Sequence, residues 1–443
     1  MTADVSRERT RNYLHQIKGA VVYKAVAMLA SFLAIPMMIR YLGQEQFGVW
    51  STLLTVMSWV VFFDLGVGNG LRNKVAESLA KNERAEAARY IASGYSLIGL
   101  IALVLWLLVT VFSFIIPWQL VFNTQAISEA TLRATVQIAI FFIVLNFWLG
   151  LIAALLGAVQ KTSMVALGQL MSNLAILGGV FLLTRTSDAS VSNLALVYGL
   201  SLVSANVLLS LWFYRRHPEF RPYSYIDKRH VRPLLQVGLQ FFTIQLAVLV
   251  IFTTDKMMIT QLFGPQYVTQ YEVVFKLFSI ITFVHGLISV PLWSAYTDAY
   301  HREDFVWIKR MLRKQLFAYG GIVLAVIALA IIVKPIVRIW IGSNFEVSLT
   351  LVISMSMYVL VSTWVNIFAY FLNGVQKIRL SLNISLFAML FNIPVSIALA
   401  KYSSLGVSSI IFGTICALLP GVFFGPLQTI KIINKRDVGV WAK

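Results

Sequence analysis

Charge is what this chain has least of. Asp, Glu, Lys and Arg make up 12% of its 443 residues, about half the roughly 25% usual in soluble domains. With 59% hydrophobic residues and a mean hydropathy of +0.80, the composition excludes an ordinary soluble domain and points to a polytopic membrane protein. Cysteine is scarcer still: Cys416, in an apolar run, is the only one, which excludes an intramolecular disulfide. Of the five histidines, His15, His217, His230 and His301 fall in tails or loops with no metal-ligand spacing. Acid is the rarer charge, 18 residues against 36 basic ones, so the formal net charge is +18. Such an excess invites a nucleic-acid reading, which the placement of the charges must decide. The N-terminus lacks a short apolar run with a small-residue cleavage site. Polar residues including Arg7, Arg9, Arg11 and Lys18 lead straight into a long apolar segment, read here as an uncleaved first span.

Long apolar runs are what the chain has in abundance. A helix needs about 20 mainly apolar residues to cross about 30 Å of hydrocarbon. Such runs lie near 19–41, 48–69, 89–116, 131–157, 162–184 and 191–214, then near 234–260, 268–296, 313–334, 347–373, 379–400 and 405–429. The expected fold is an all-α integral membrane protein of about twelve transmembrane helices. No soluble domain fits between the spans. The longest connection, 215–233, carries Arg215, Arg216, Arg221, Lys228 and Arg229 and reads as a cytoplasmic basic linker with a short interfacial helix.

The two halves echo each other. Met257-Met258-Ile259-x-x-Leu262-x-Gly264-x-Gln266-Tyr267 repeats Met37-Met38-Ile39-Arg40-Tyr41-Leu42-Gly43-x-x-Gln46-Phe47 at an offset of 220, with a one-residue slip at the glycine. Leu372-Asn373-Gly374-Val375-Gln376-Lys377 matches Leu156-Gly157-Ala158-Val159-Gln160-Lys161 at an offset of 216. Two echoes in order at nearly equal offsets indicate a duplication, a recurring feature of transporter folds. With six spans per copy, the halves share one orientation and are related by a pseudo-two-fold axis. The expected domains are a six-helix lobe over 1–214, the linker 215–233 and a second six-helix lobe over 234–443.

Lys and Arg placement sets the orientation. With the N-terminus cytoplasmic, 27 of the 36 basic residues fall in inside segments and six outside, leaving Lys24, Lys256 and Lys276 within spans. Both termini are then cytoplasmic. The net charge belongs to the cytoplasmic face and its anionic lipids, not to nucleic acid.

A charge at bilayer depth costs roughly 2.5–3.5 kcal/mol on insertion scales unless it meets water or a partner. Asp255, Lys256, Glu272 and Lys276 all sit at such depth, on either side of Gly264-Pro265. They either line a polar cavity for an anionic head group or form ion pairs fixing span 7 against span 8. His285, in mid-span 8, is a proton-relay or substrate candidate, or a neutral ring bonded to a neighbour. Lys24 either snorkels to the interface or lines an inner vestibule. Asp64 opens Asp64-Leu65-Gly66-Val67-Gly68-Asn69-Gly70 at the inner end of span 2. No strand precedes these glycines and no GK[ST] follows, so they read as close helix packing rather than a phosphate loop. Asp298 is the acid near the inner end of span 8, and the pair are candidates for an inner gate.

Several stretches resemble the bacterial O-antigen and polysaccharide flippases, in the superfamily that also holds multidrug exporters. They are Arg40-Tyr41-Leu42-Gly43-x-x-x-Phe47-Gly48-x-Trp50, the Asp64 to Lys74 stretch, Pro291-x-Trp293-x-Ala295-x-x-Asp298-Ala299, and Gly374-Val375-Gln376-Lys377. The resemblance implies a V-shaped fold of two lobes in the bacterial inner membrane, working by alternating access. The implied substrate is an undecaprenyl-pyrophosphate-linked oligosaccharide, flipped to the periplasmic leaflet before polymerase machinery acts on it. Lys24, Lys256 and Lys276 are then the candidates for pyrophosphate contact, chosen by depth and not by a matched motif. Asp255, Glu272 and His285 are the candidates for a coupling ion, H+ or Na+, with no other cofactor and no metal.

Two other classes compete. A multidrug exporter of the same fold would want an acidic cavity for organic cations, whereas here lysines stand beside each acid. A polyprenyl-linked glycan polymerase or ligase would need a sizeable external loop, and the first one, about 42–47, is too short. The expectation is a transporter, not an enzyme.

Overall fold

The structure is a computed structural model describing residues 2–442 apart from 65, 224, 228, 236–252 and 437; the side chains of 2–18, 61, 62, 64, 294 and 442 are also outside the description. Among the described residues all regular structure is helical, and ten helices are long and apolar enough to cross a membrane. The first of these, Gly19–Ser58, contains a break. Gly43 has φ/ψ of 77°/169°, which interrupts α1 (Thr2–Ser58) and divides it into two segments. The loop expected at 42–47 is thus a single-glycine kink. The span expected at 234–260 falls mostly outside the described residues; its described end is α9 (Asp255–Phe263).

The chain divides into two compact units, Met1–Leu246 and Ala247–Lys443. In the first unit α1 packs on α7 (Thr162–Thr186), and α5 (Glu129–Leu149) packs on α8 (Val191–Arg216). Helix α2 (Val67–Ala80) lies against α3 (Arg84–Phe112) and α6 (Leu151–Ala158). Between membrane helices the hydrophobic effect supplies no attraction, so small residues that let backbones approach carry the packing. Ala27, Ala30 and Ala34 do this on α1, at most 4% exposed, and Asn173 Nδ2 donates to the Ala27 carbonyl at 2.9 Å. The four-residue α4 (Trp118–Val121) is held by Glu129, whose carboxylate accepts from the Trp118 and Gln119 amides at 2.8 and 2.9 Å.

The basic connection is tied down within the first unit. Ser96 Oγ accepts from the Tyr225 amide at 3.1 Å, and His230 Nε2 meets Glu86 Oε1 at 2.9 Å on α3. The Arg229 amide donates to Asp227 at 2.8 Å and is the main reason that carboxyl is held below its usual range. A short 3-10 turn, Pro218–Phe220, and helical residues 229–235 are its regular structure.

The second unit contains α9, α10 (Pro265–His301), α11 (Phe305–Trp340), α12 (Leu349–Gly374), α13 (Arg379–Tyr402) and α14 (Ser408–Ile433). Helix α12 packs on α10, α11 and α14, and α13 packs on α14. One core cluster gathers Tyr296, Ile308, Ile367, Phe371 and Ile432, with Tyr296 edge-on to Phe371 at 5.3 Å between ring centroids.

The internal repeat is visible in the backbone. Gly264, at φ/ψ of 102°/156°, separates α9 from α10 as Gly43 divides α1. Gln160 and Gln376 both take left-handed φ, 57° and 59°, after helices that end alike: Lys161 N bonds Leu156 O at 2.8 Å, and Lys377 N bonds Leu372 O at 3.1 Å. Asn82 and Glu303 form a third matched pair, with φ of 62° and 56°. The copies differ at one place. Residues 265–301 form an unbroken helix, while 44–80 are interrupted by the 3-10 stretch Trp59–Asp64 and by Gly66 at φ 73°. The glycine-rich stretch does serve close packing: a Cβ at Gly70 would lie 2.6 Å from the Leu234 carbonyl.

Candidate functional site

Four of the sequence-selected residues come together in the second unit. Asp255 opens α9 and is only 5% exposed. A carboxylate removed from water needs partners, since an unmet buried charge is expensive. Its Oδ2 accepts from Tyr271 Oη at 3.3 Å and its Oδ1 from Thr414 Oγ1 at 3.2 Å, while Asn392 Nδ2 donates to the same Thr414 oxygen at 3.0 Å. Asn392 Oδ1 is buried without a hydrogen-bond partner. The carboxylate therefore meets two neutral hydroxyls, from α10 and α14, and Asn392 of α13 supports the second of them.

The next residue takes another direction. Lys256 Nζ lies 2.6 Å from Glu272 Oε2, both side chains about four-fifths buried. Lys276 stands one turn beyond Glu272 on the same face of α10 and also interacts with it electrostatically. Two ammonium groups thus share one carboxylate, so this group is formally positive. Further along that face, Ser279 and Thr282 line a cavity of about 170 Å³ with Tyr358, Ser362 and Asn366 of α12. The hydroxyls of Ser279, Thr282 and Ser362 donate to their own helix backbone at 2.6, 3.0 and 3.2 Å. Their lone pairs are then left to accept from a donor-bearing ligand such as a sugar. Sequence reading had not found this lining or the partners of Asp255. The signal was present, since Asn392 in an apolar run is a polar group that needs a partner.

The chain from 19 to 296 matches the family model described as polysaccharide biosynthesis protein. The chain belongs to that family. A Salmonella typhimurium protein named as an O-antigen transporter is 23% identical over 416 residues, covering 91% of this chain and 93% of its own. A Yersinia pseudotuberculosis protein named as an O-antigen export protein is 20% identical, covering 80% and 82%. Among solved structures, an inward-facing multidrug resistance MATE family transporter of the MOP superfamily superposes with a TM-score of 0.78 at 13% identity, over 95% of this chain and 100% of that one. A MOP superfamily transporter from Pyrococcus furiosus, described as having a binding pocket of reversed polarity, gives 0.58 at 15% identity, over 94% and 96%. This member of the family accordingly has the fold of the MOP superfamily structures, with ten helices among the described residues long and apolar enough to cross a membrane.

The remaining candidates in this family member are placed as follows. His285 is 5% exposed and pairs with Ser289 Oγ at 3.0 Å, one turn along its own helix, with the Tyr370 ring 6.4 Å away. Lys24 belongs to the first unit, where its side chain is exposed beside the α1 face that packs on α7. Asp298 is 63% exposed and paired with Arg302 at 2.9 Å. The side chain of Asp64 lies outside the described residues. Among the described residues, no three His, Cys, Asp or Glu side chains converge as a metal ion would require.

Proposed function

We propose that this protein is a flippase for an undecaprenyl-pyrophosphate-linked oligosaccharide, an O-antigen or related repeat unit. It carries the glycan from the cytoplasmic to the periplasmic leaflet of the bacterial inner membrane by alternating access, and an ion gradient drives the cycle. Twelve spans form two six-helix lobes, 1–214 and 234–443, joined by the linker 215–233, with both termini cytoplasmic. The observation that carries the reading is the positive Lys256–Glu272–Lys276 group running along α10 into a hydroxyl-lined cavity. A pyrophosphate is the ligand for the first and a sugar for the second. The names of the Salmonella and Yersinia relatives support the same substrate class.

In this scheme Lys256 and Lys276 contact the pyrophosphate, with Glu272 holding both in place. Lys24 adds a cation toward the cytoplasmic entrance, and Asp64 and Asp298 border the inner gate. Asp255 carries the coupling ion, H+ or Na+; the hydroxyl oxygens of Tyr271 and Thr414 against its carboxylate are donors of the kind hard cations prefer. His285, already satisfied by Ser289, is the weaker ion candidate.

The test is flipping in proteoliposomes, using a fluorescent undecaprenyl-pyrophosphate glycan and outer-leaflet quenching with and without an ion gradient. Transport should exceed that of empty liposomes and rise with the gradient. Asp255→Asn should keep the basal rate and lose the stimulation. Lys276→Gln should lower transport about tenfold, the effect of about 1.4 kcal/mol. No transport of several such lipids, together with efflux of cationic dyes, would replace this reading with a multidrug exporter.

A further inference from the structure

A second feature of the second unit faces outward. Between α11 and α12 runs an apolar groove of about 480 Å³, walled by Ile327 and Ile331 on one side and Leu349, Ile353 and Met357 on the other, with Lys334 in its lining. Ile327, Ile331, Lys334 and Arg338 follow one another at helical spacings of four, three and four, so they share one stripe of α11. The stripe changes from hydrocarbon to cation along its length.

Its depth can be calculated. Helix α11 carries Lys309, Arg310, Arg313 and Lys314 near its start, and residues 315–333 contain no Lys, Arg, Asp or Glu. From Lys314 to Lys334 the helix rises about 30 Å, the thickness of the hydrocarbon core. Lys334 therefore sits at the head-group boundary of the membrane face opposite the Lys309–Lys314 cluster, and the isoleucines lie in hydrocarbon just beneath it. Among the described residues neither Lys334 nor Arg338 takes part in an ion pair, whereas Lys256, Arg302 and Lys435 of this unit do.

We infer that the α11–α12 seam binds the hydrocarbon chain of an anionic polyprenyl lipid, with its phosphate held by Lys334 and Arg338. Charge complementarity selects an anionic head. The seam lies between two neighbouring helices and is lined mainly by apolar side chains, many of them the branched Val and Ile, beside one cation. That lining matches one branched chain with one anionic head; a phospholipid brings two unbranched chains. The choice of a polyprenyl lipid rests on the flippase reading, in which the chain stays in the bilayer while the glycan crosses. The seam would then hold the lipid in the leaflet opposite the basic cluster.

The experiment is photolabelling, which needs no transport. The purified full-length protein in phosphatidylcholine liposomes is irradiated with a diazirine-bearing polyprenyl monophosphate, and labelled peptides are mapped. Label should fall within 327–338 and 349–357. Excess undecaprenyl phosphate should reduce it about tenfold, equivalent to a tenfold shift in apparent affinity, and excess phosphatidylglycerol should not. Ile353→Trp, which fills the groove, and Lys334→Gln, which keeps the fold's exposed surface polar, should each reduce it comparably. Equal competition by phosphatidylglycerol would overturn the assignment in favour of bulk lipid. A protein that flips the glycan lipid yet shows no label at the seam would overturn it and leave the flippase reading intact. Label at the seam without any glycan transport would support the groove and sink the flippase instead.

Discussion

Gly43 and Gly264 hold the chain in a backbone region that side chains hardly enter, φ 77° and 102° with ψ 169° and 156°. Strain of that kind costs about 1–3 kcal/mol for a non-glycine residue. Gly43→Ala and Gly264→Ala should each lower the melting temperature in detergent, and the cost at Gly43 is purely a backbone effect, because a Cβ there meets no atom within 4 Å. Gly321→Ala, also without a neighbour but in ordinary helical backbone, is the control that should leave stability unchanged or slightly raised. Glu77 offers a different residue-scale test. Hydrogen bonds from Lys81 and then Lys74 hold its carboxyl at about 2, below the ordinary 4.5. A carboxyl depressed by folding stabilises the folded state above its unfolded value and loses that contribution as the pH falls through the folded one. The difference in melting temperature between wild type and Glu77→Gln should therefore be present above pH 4.5 and vanish toward pH 2. Because the group is exposed, the difference should be small and should shrink in salt.

At the scale of elements, the two copies of the duplication end corresponding helices in the same way. Gln160 and Gln376 are exposed and left-handed, a conformation that costs an L-residue roughly 1–2 kcal/mol. Replacing either by glycine should relieve that cost, less the roughly 0.5–1 kcal/mol that glycine's freedom adds to the unfolded chain. The two substitutions should thus shift thermal stability in the same direction by similar amounts, and opposite signs would show that the copies have diverged in packing there. The repeat and the apolar runs were readable from the sequence, since each rests on local composition. Twelve spans were expected, however, where ten long helices stand among the described residues, and a loop at 42–47 where Gly43 alone kinks one helix. The break at Trp59–Gly66 was not readable. Its counterpart in α10 is continuous, and the glycine-rich stretch after Asp64 signalled close packing without marking Gly66 as the residue that turns to φ 73°. The site was half readable. Charges in apolar sequence marked Asp255, Lys256, Glu272 and Lys276, but their partners Thr414 and Asn392 lie well over a hundred residues along the chain, where a threonine attracts no notice.

For the whole molecule, orientation is the property from which the others follow. On the proposed orientation, with both termini cytoplasmic, the C-terminal tail and the end of α11 lie on opposite faces. Cys416 is the only cysteine, so Cys416→Ala gives a background free of thiols. In it, Ser343→Cys should react with an impermeant maleimide on cells with a permeabilised outer membrane. Asn434→Cys should react only after the inner membrane is opened. Both positions are exposed, and the reverse pattern would invert the topology and move the α11–α12 groove to the other leaflet.

The ionisable group around Asp255 has no twin. In the first half the positions at the offset of 220 are Ile35, Pro36, Thr52 and Val56, none of them ionisable. Duplication left two scaffolds, and the second carries the Asp255, Lys256, Glu272 and Lys276 cluster, which gives the gene an uneven tolerance of error. Substitutions that leave the protein abundant but idle should concentrate in the second half, with Lys24 and Asp64 the exceptions expected in the first. A pair of first halves joined head to tail would then be a well-folded bystander.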